Sequence, residues 1–144
     1  MERAFYLFSI GRRLNIQQSY RMETKVPFPI YVLLDDRLML SIESPIRVLY
    51  HLEPIDIEND EYLFWDANGK GVRVSINRQK VHSIEYADNP ITLIEAFRLY
   101  SQAIGVDVDM NGTIEVVWSR FKQAEAGLPR PKGVFSRLFR SSDG

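Results

Sequence analysis

The chain has 144 residues, of which 45% are hydrophobic, and its formal net charge is −1 with no cysteine. This length and apolar content suit a single domain that builds its core without disulfides. The lack of cysteine excludes disulfide frameworks, thiolate zinc sites, iron–sulfur clusters and cysteine nucleophiles. It also fits a reducing compartment, and we expect a cytoplasmic protein.

The sequence contains no candidate membrane span. The apolar stretch at residues 4–8 is far shorter than the roughly 20 residues that a spanning helix needs, and it lacks the flanks of a secretory signal. The charge is unevenly distributed: residues 1–25 hold five Lys/Arg and two acids, residues 26–127 hold nine and sixteen, and residues 128–144 hold four and one. Basic ends therefore flank an acidic body.

The first hairpin is predicted at residues 30–42, after Pro27 and Pro29. A three-residue loop at residues 35–37 gives a register with an apolar face. The facing pairs are Ile30–Ile42, Val32–Leu40 and Leu34–Leu38. The other face carries Tyr31, Leu33 and Met39, so both faces need cover, either from the same chain or from a second copy in a homo-oligomer.

The next segments are predicted as a strand and a loop. Residues 46–52 alternate in an extended pattern, with Val48, Tyr50 and Leu52 on one side, and the acidic run at residues 53–61 is typical of a solvated loop.

A second hairpin is predicted at residues 61–76 around Asn68-Gly69, a dipeptide that tolerates positive-φ turn positions. Pairing Ala67 with Lys70 places Trp65 opposite Val72, with the core, and Phe64 opposite Arg73 on the reverse side. A further strand follows at residues 81–86.

A helix is predicted at about residues 90–104. Asn89 is the expected N-cap, Pro90 the first helical residue and Gly105 the stop. Four apolar side chains fall on one stripe, which is typical of a helix packed on a sheet. They are Leu93, Phe97, Tyr100 and Ile104.

These elements predict an α+β fold in which six to eight antiparallel strands form a bent sheet or small open β-barrel of hairpins, covered by the one main helix. An edge or core strand is favoured for residues 4–10. We expect residues 1–127 to form the domain and residues 128–144 to form a flexible, basic, Pro-containing tail.

A cation-binding loop is one interpretation of residues 107–114, where Asp107, Asp109 and Asn111 precede Gly112 as in an EF-hand. The twelfth position, which needs a bidentate glutamate, is Trp118. A hairpin that turns at residues 110–112 sorts apolar and polar side chains onto separate faces and is favoured. A helix at residues 113–126 is the other alternative.

Two further sites are weaker candidates. Aromatic and basic side chains on the outer face of the second hairpin would stack bases and pair with phosphates, which defines a nucleic-acid alternative. Its residues on that face are Tyr62, Phe64 and Arg73, and Arg78 and Lys80 are nearby. His51 and His82 lie near carboxylates, but nothing in their spacing indicates an active site or a metal site.

The tail carries the strongest functional signal. Phe135, Leu138 and Phe139 follow a helical spacing with Arg137 and Arg140 off that stripe, as in a peptide that docks in a partner's groove or folds back on its own domain. No catalytic motif and no cofactor-binding motif is present. The sequence therefore favours a non-catalytic protein-interaction module without a cofactor, whose partner is another protein; nucleic acid is the less favoured partner, and a small enzyme or weak metal-binding protein is the third alternative.

Overall fold

The computed structural model describes residues 23–128. The predicted strand at residues 4–10 and the tail beyond Leu128 lie outside the described residues. Five strands form one sheet: β1 (Ile30–Leu33), β2 (Met39–Ile42), β3 (Leu63–Trp65), β4 (Gly71–Asn77) and β5 (Lys80–Tyr86). A 3-10 turn (Pro45–Arg47) and four helices complete this part of the chain: α1 (Val48–His51), α2 (Pro54–Glu58), α3 (Leu93–Ile104) and α4 (Ile114–Ala126).

The sheet is open and antiparallel, with the strand order β2-β1-β3-β4-β5, so the predicted α+β class is confirmed. The first hairpin has the predicted register, with Ile30 opposite Ile42 and Val32 opposite Leu40. Every residue of β1 is buried, as expected for a strand with two apolar faces. Tyr31 is covered by helices of the same chain.

The connection from β2 to β3 is a crossover. Both strands are antiparallel to β1, which lies between them, so β2 and β3 run parallel and the intervening chain must cross a face of the sheet. It does so through the 3-10 turn, α1 and α2, which pack against β4 and β5. Val48, Leu52 and Ile57 enter the core.

The predicted strand at residues 46–52 and the predicted loop at residues 53–61 are therefore wrong. Val48 and Leu52 are four residues apart and both point inward, which is helical spacing, whereas Tyr50 between them is exposed. An alternating pattern and a helical pattern share these two positions over so short a segment, so spacing alone did not separate them.

The second hairpin differs from its predicted register by one residue. Asp66, instead of Ala67, pairs with Lys70, so Phe64 faces Val72 and Trp65 faces Gly71. The reason is Asp66, whose Oδ1 accepts hydrogen bonds from the backbone N–H groups of Asn68 (2.8 Å) and Lys70 (2.9 Å) and stabilises a three-residue loop. Because side chains alternate along a strand, one residue of slip exchanges the two faces. The strand predicted at residues 81–86 is present as β5.

The first long helix begins later than predicted. Thr92, rather than Asn89, is the N-cap of α3, and it forms a capping box with Glu95: Thr92 Oγ1 accepts from Glu95 N (3.1 Å), and Glu95 Oε1 accepts from Thr92 N (2.8 Å). The Asn89 side chain instead donates to the Phe64 carbonyl (2.6 Å). Gly105 ends the helix in the left-handed conformation, as predicted.

A second long helix, α4, replaces the favoured hairpin at residues 106–116. Thr113 is its N-cap, and Val117 and Phe121, four residues apart, are its buried contacts. An aromatic cluster joins both long helices to Tyr31 of β1, with ring centroids 4.7–6.4 Å apart. Its other members are Phe97, Tyr100, Trp118 and Phe121. Two helices, instead of the one expected, cover this face of the sheet.

Candidate protein-docking surface

The proposed nucleic-acid residues do not share a surface. Tyr62 and Phe64 are buried, at 8% and 5% exposure, because the observed register places Phe64 beside Val72 in the core. Arg73 lies on the opposite side of β4, where it is exposed and 3.6 Å from Asp60. Arg78 is in the turn between β4 and β5, and Lys80 begins β5. No aromatic stacking platform results from these five residues.

The candidate cation loop is held in place by an arginine side chain of the same chain. The Arg120 guanidinium donates to the backbone carbonyls of Asp109 (2.9 Å) and Asn111, and it lies 3.8 Å from Asp109 Oδ2. Asp109 Oδ1 accepts from the backbone and side chain of Asn111, and the backbone bond is the main cause that lowers its pKa. Asp107 is exposed, and Trp118 packs in the aromatic cluster. Within residues 23–128, no three acidic or histidine side chains are grouped to hold a metal.

The two histidines lie apart from any catalytic arrangement. His51 is half-buried in α1, where burial and then the charge of Arg47 lower its pKa and favour the neutral ring. His82 is exposed on β5. No hydrogen bond joins either ring to a carboxylate in the described part of the chain.

The outward side of the crossover carries a group of exposed hydrophobic side chains, here called the apolar patch. It consists of Ile46, Tyr50 and Ile55, which are 66%, 63% and 56% exposed. Ile46 and Tyr50 are four residues apart on consecutive helical turns and so share a face. Ile55 follows in α2, at most about 17 Å along the chain from Tyr50. The Arg47 guanidinium lies 5.5 Å from the centre of the Tyr50 ring.

Acidic residues accompany the apolar patch along the chain. Residues 43–61 contain six acids and one arginine. Asp56 accepts a hydrogen bond from the Tyr62 hydroxyl (2.9 Å), and Asp60 pairs with Arg73. The other four acids are exposed and form no ion pair with any residue between 23 and 128. They are Glu43, Glu53, Glu58 and Glu61.

The sequence prediction missed the apolar patch because it assigned residues 46–52 to a strand. A usable signal was present: Pro45 follows Ser44 and Pro54 follows Glu53, and proline is favoured in the first turn of a helix. The predicted partner-binding residues Phe135, Arg137, Leu138, Phe139 and Arg140 lie outside the described residues.

No helix within residues 23–128 has the length and apolar character that crossing a bilayer requires. The chain matches no protein-family model, no curated protein and no solved structure.

Proposed function

We propose that this protein is a non-catalytic interaction module that docks a segment of another protein on the apolar patch. The observation that carries this proposal is the exposure of three large hydrophobic side chains within ten residues, on the outward side of a crossover whose inward side is packed. Single exposed hydrophobic residues are normal on soluble proteins, but a group with a polar rim is typical of an interaction surface.

The charges around the apolar patch define the chemistry of the partner. Four exposed glutamates without a described ion pair attract a basic segment and disfavour an acidic one. Tyr50 supplies a rigid aromatic side chain of the type that dominates binding energy at interfaces. The expected partner segment therefore combines apolar side chains with Lys or Arg.

Partner binding by the C-terminal tail is a separate prediction. A partner that contacts Phe135, Leu138 and Phe139 would use a second surface of the same protein. Nucleic acid is a less favoured partner because the rings of Tyr62 and Phe64 are buried. A cytoplasmic location also stays a prediction.

The test is affinity purification from the native host with three forms of the full chain: the natural sequence, an Ile46→Ser/Tyr50→Ser/Ile55→Ser variant, and a Tyr86→Ser/Val116→Ser control. Tyr86 and Val116 are exposed hydrophobic residues outside the apolar patch. We expect one partner to elute with the natural and control forms and to be absent from the triple variant, and we expect its affinity to fall as salt rises. Equal recovery with all three forms would refute docking on the patch.

A further inference from the structure

A separate cavity opens where three elements meet: the start of β1, the turn between β3 and β4, and the start of α4. Its volume is about 550 Å³, which is within the range of small-molecule sites. Apolar side chains form part of its wall. They are Phe28, Pro29, Ala67 and Ile114. The cavity thus offers an apolar surface to a small ligand or to one side chain of a larger ligand.

Tyr31 supplies a polar group in this wall. The residue is 1% exposed, and its ring is held between Phe97 (6.1 Å) and Trp118 (5.5 Å). Its hydroxyl forms no hydrogen bond within residues 23–128, and it is not among the enclosed polar atoms that lack a partner, so it is open to the cavity. A hydroxyl that is open to the cavity can exchange a hydrogen bond with water for one from a ligand.

The one charged residue that lines the cavity is acidic, and the guanidinium of Arg120 lies next to Gly112 of the same wall. Glu115 lies in its wall, and the carboxylates of Glu115 and Glu43 contribute, after burial, to raising the pKa of Tyr31. The N-terminus of α4 opposes them with about half a positive charge, which is less than the full charge of Glu115. Among the described walls there is no Lys, Arg or His; the remaining polar walls are the neutral side chains of Asn68 and Thr113.

We propose that this cavity binds an organic cation: a protonated primary amine on an apolar stem. The ammonium group donates to the Tyr31 hydroxyl oxygen and to the Glu115 carboxylate, while the stem lies against Phe28 and Ile114. Two sources share this chemistry, a free small amine and a lysine side chain of a peptide. The proposal does not depend on the apolar patch, which is formed by other residues.

The test is a titration of the ¹⁵N-labelled full chain, followed through the amide signals of Asn68, Gly112 and Ile114. The probes are n-butylamine, the uncharged n-butanol, the anion butyrate, and an end-blocked Gly-Lys-Gly peptide. We expect saturable shifts with the amine, and a dissociation constant about fivefold weaker in Glu115→Gln, the loss typical of one exposed ion pair. Tyr31→Phe keeps the packed ring and removes only the hydroxyl. It should therefore also weaken the binding of the amine while leaving the protein folded.

A matched control is Glu85→Gln, which removes the same charge from an exposed position on β5 and should leave the titration unchanged. Tighter binding of the peptide than of butylamine identifies a lysine side chain as the source, and the reverse identifies a free amine; both support the proposal. Identical titrations with butanol, binding of butyrate in place of the amine, or no saturation with either amine probe would overturn it.

Discussion

Tyr100 and Tyr62 are two buried tyrosines whose hydroxyl groups differ in hydrogen bonding. Tyr100 is fully buried in the aromatic cluster, and its hydroxyl has no hydrogen-bond partner among the described residues. Tyr62 is also buried, but its hydroxyl donates to Asp56 Oδ2 at 2.9 Å. A buried polar group without a partner loses its hydration and gains nothing in return.

Replacement of Tyr100 with Phe should therefore leave the free energy of unfolding unchanged or raise it by up to about 1 kcal/mol. Tyr62→Phe is the matched control, and it should lower the same quantity by about 1 kcal/mol because it leaves Asp56 without its donor. Urea denaturation of the two variants measures both. A loss of more than about 1 kcal/mol in Tyr100→Phe would show that the hydroxyl has a stabilising role.

Glu125 is the second residue with an unusual environment. One carboxylate oxygen accepts from Lys122 Nζ at 2.9 Å, whereas the other, Oε2, is buried and has no hydrogen-bond partner within residues 23–128. Burial raises the pKa of Glu125 to about 7, and it lowers the pKa of Lys122 to about 8. The unfolded chain protonates the same carboxyl near pH 4.5. Between pH 4.5 and about pH 7, Glu125 therefore binds more protons in the folded state than in the unfolded state.

Stability should therefore fall as the pH rises from about 4.5 through 7, since the unfolded state gains by releasing the proton. Glu125→Gln removes this pH dependence. The difference in the free energy of unfolding between wild type and variant should therefore change by at most about 3 kcal/mol between pH 5 and pH 7. Urea midpoints at both pH values measure it. Lys122 stays protonated in both states over this interval. Parallel pH profiles of the two proteins would contradict the assignment.

At the scale of elements, glycine positions show which backbone contacts fix the sheet. Gly71 begins β4, and a Cβ atom there would lie 2.2 Å from the carbonyl oxygen of Ala87, whose N–H donates to the Gly71 carbonyl. Gly105 differs: the space around it is open, but its φ of 70° is unfavourable for other residues.

We expect Gly71→Ala to lower the free energy of unfolding by about 1–3 kcal/mol, because backbone must move to admit the methyl group. Gly105→Ala should cost about 1 kcal/mol, from conformational strain alone. Thermal or urea denaturation measures the loss of stability in each variant. A loss in Gly71→Ala that is equal to or smaller than that in Gly105→Ala would show that the backbone at the end of β5 moves at little energetic cost.

For the whole molecule, sheet and long helices share one core. Trp65 of β3 and Trp118 of α4 are the two tryptophans of the chain, and both belong to or pack against this core. When one tryptophan is replaced, the fluorescence of the other reports on one layer: Trp65 on the sheet and Trp118 on the helices.

We expect Trp65→Phe and Trp118→Phe each to unfold in one transition, with the fluorescence of the remaining tryptophan and the far-ultraviolet circular dichroism changing at the same urea concentration. If Trp118 fluorescence changed at lower urea than the circular dichroism, α4 would be a separate unfolding unit.

Sequence patterns predicted the fold class, the first hairpin and the end of α3, because those features depend on local chemistry: alternating apolar residues and a glycine stop. They failed where tertiary context decided. Asp66 shifted the second hairpin through two side-chain hydrogen bonds, and Arg120, eleven residues from Asp109, organised a loop that resembles a cation site. The apolar patch was missed for a different reason: an alternating and a helical pattern share Val48 and Leu52, and the helix-start signals at Pro45 and Pro54 were not used.

Under the proposed docking function, the residues of the β2 to β3 crossover divide between the core and the partner surface. Its inward residues, Val48, Leu52 and Ile57, hold it on the sheet, whereas its outward residues contribute little to the core. Substitutions at the outward positions should leave strand pairing intact, so the proposed partner surface could be altered while the sheet stays constant. A designer could exploit the same division by grafting a new recognition sequence onto the outward positions.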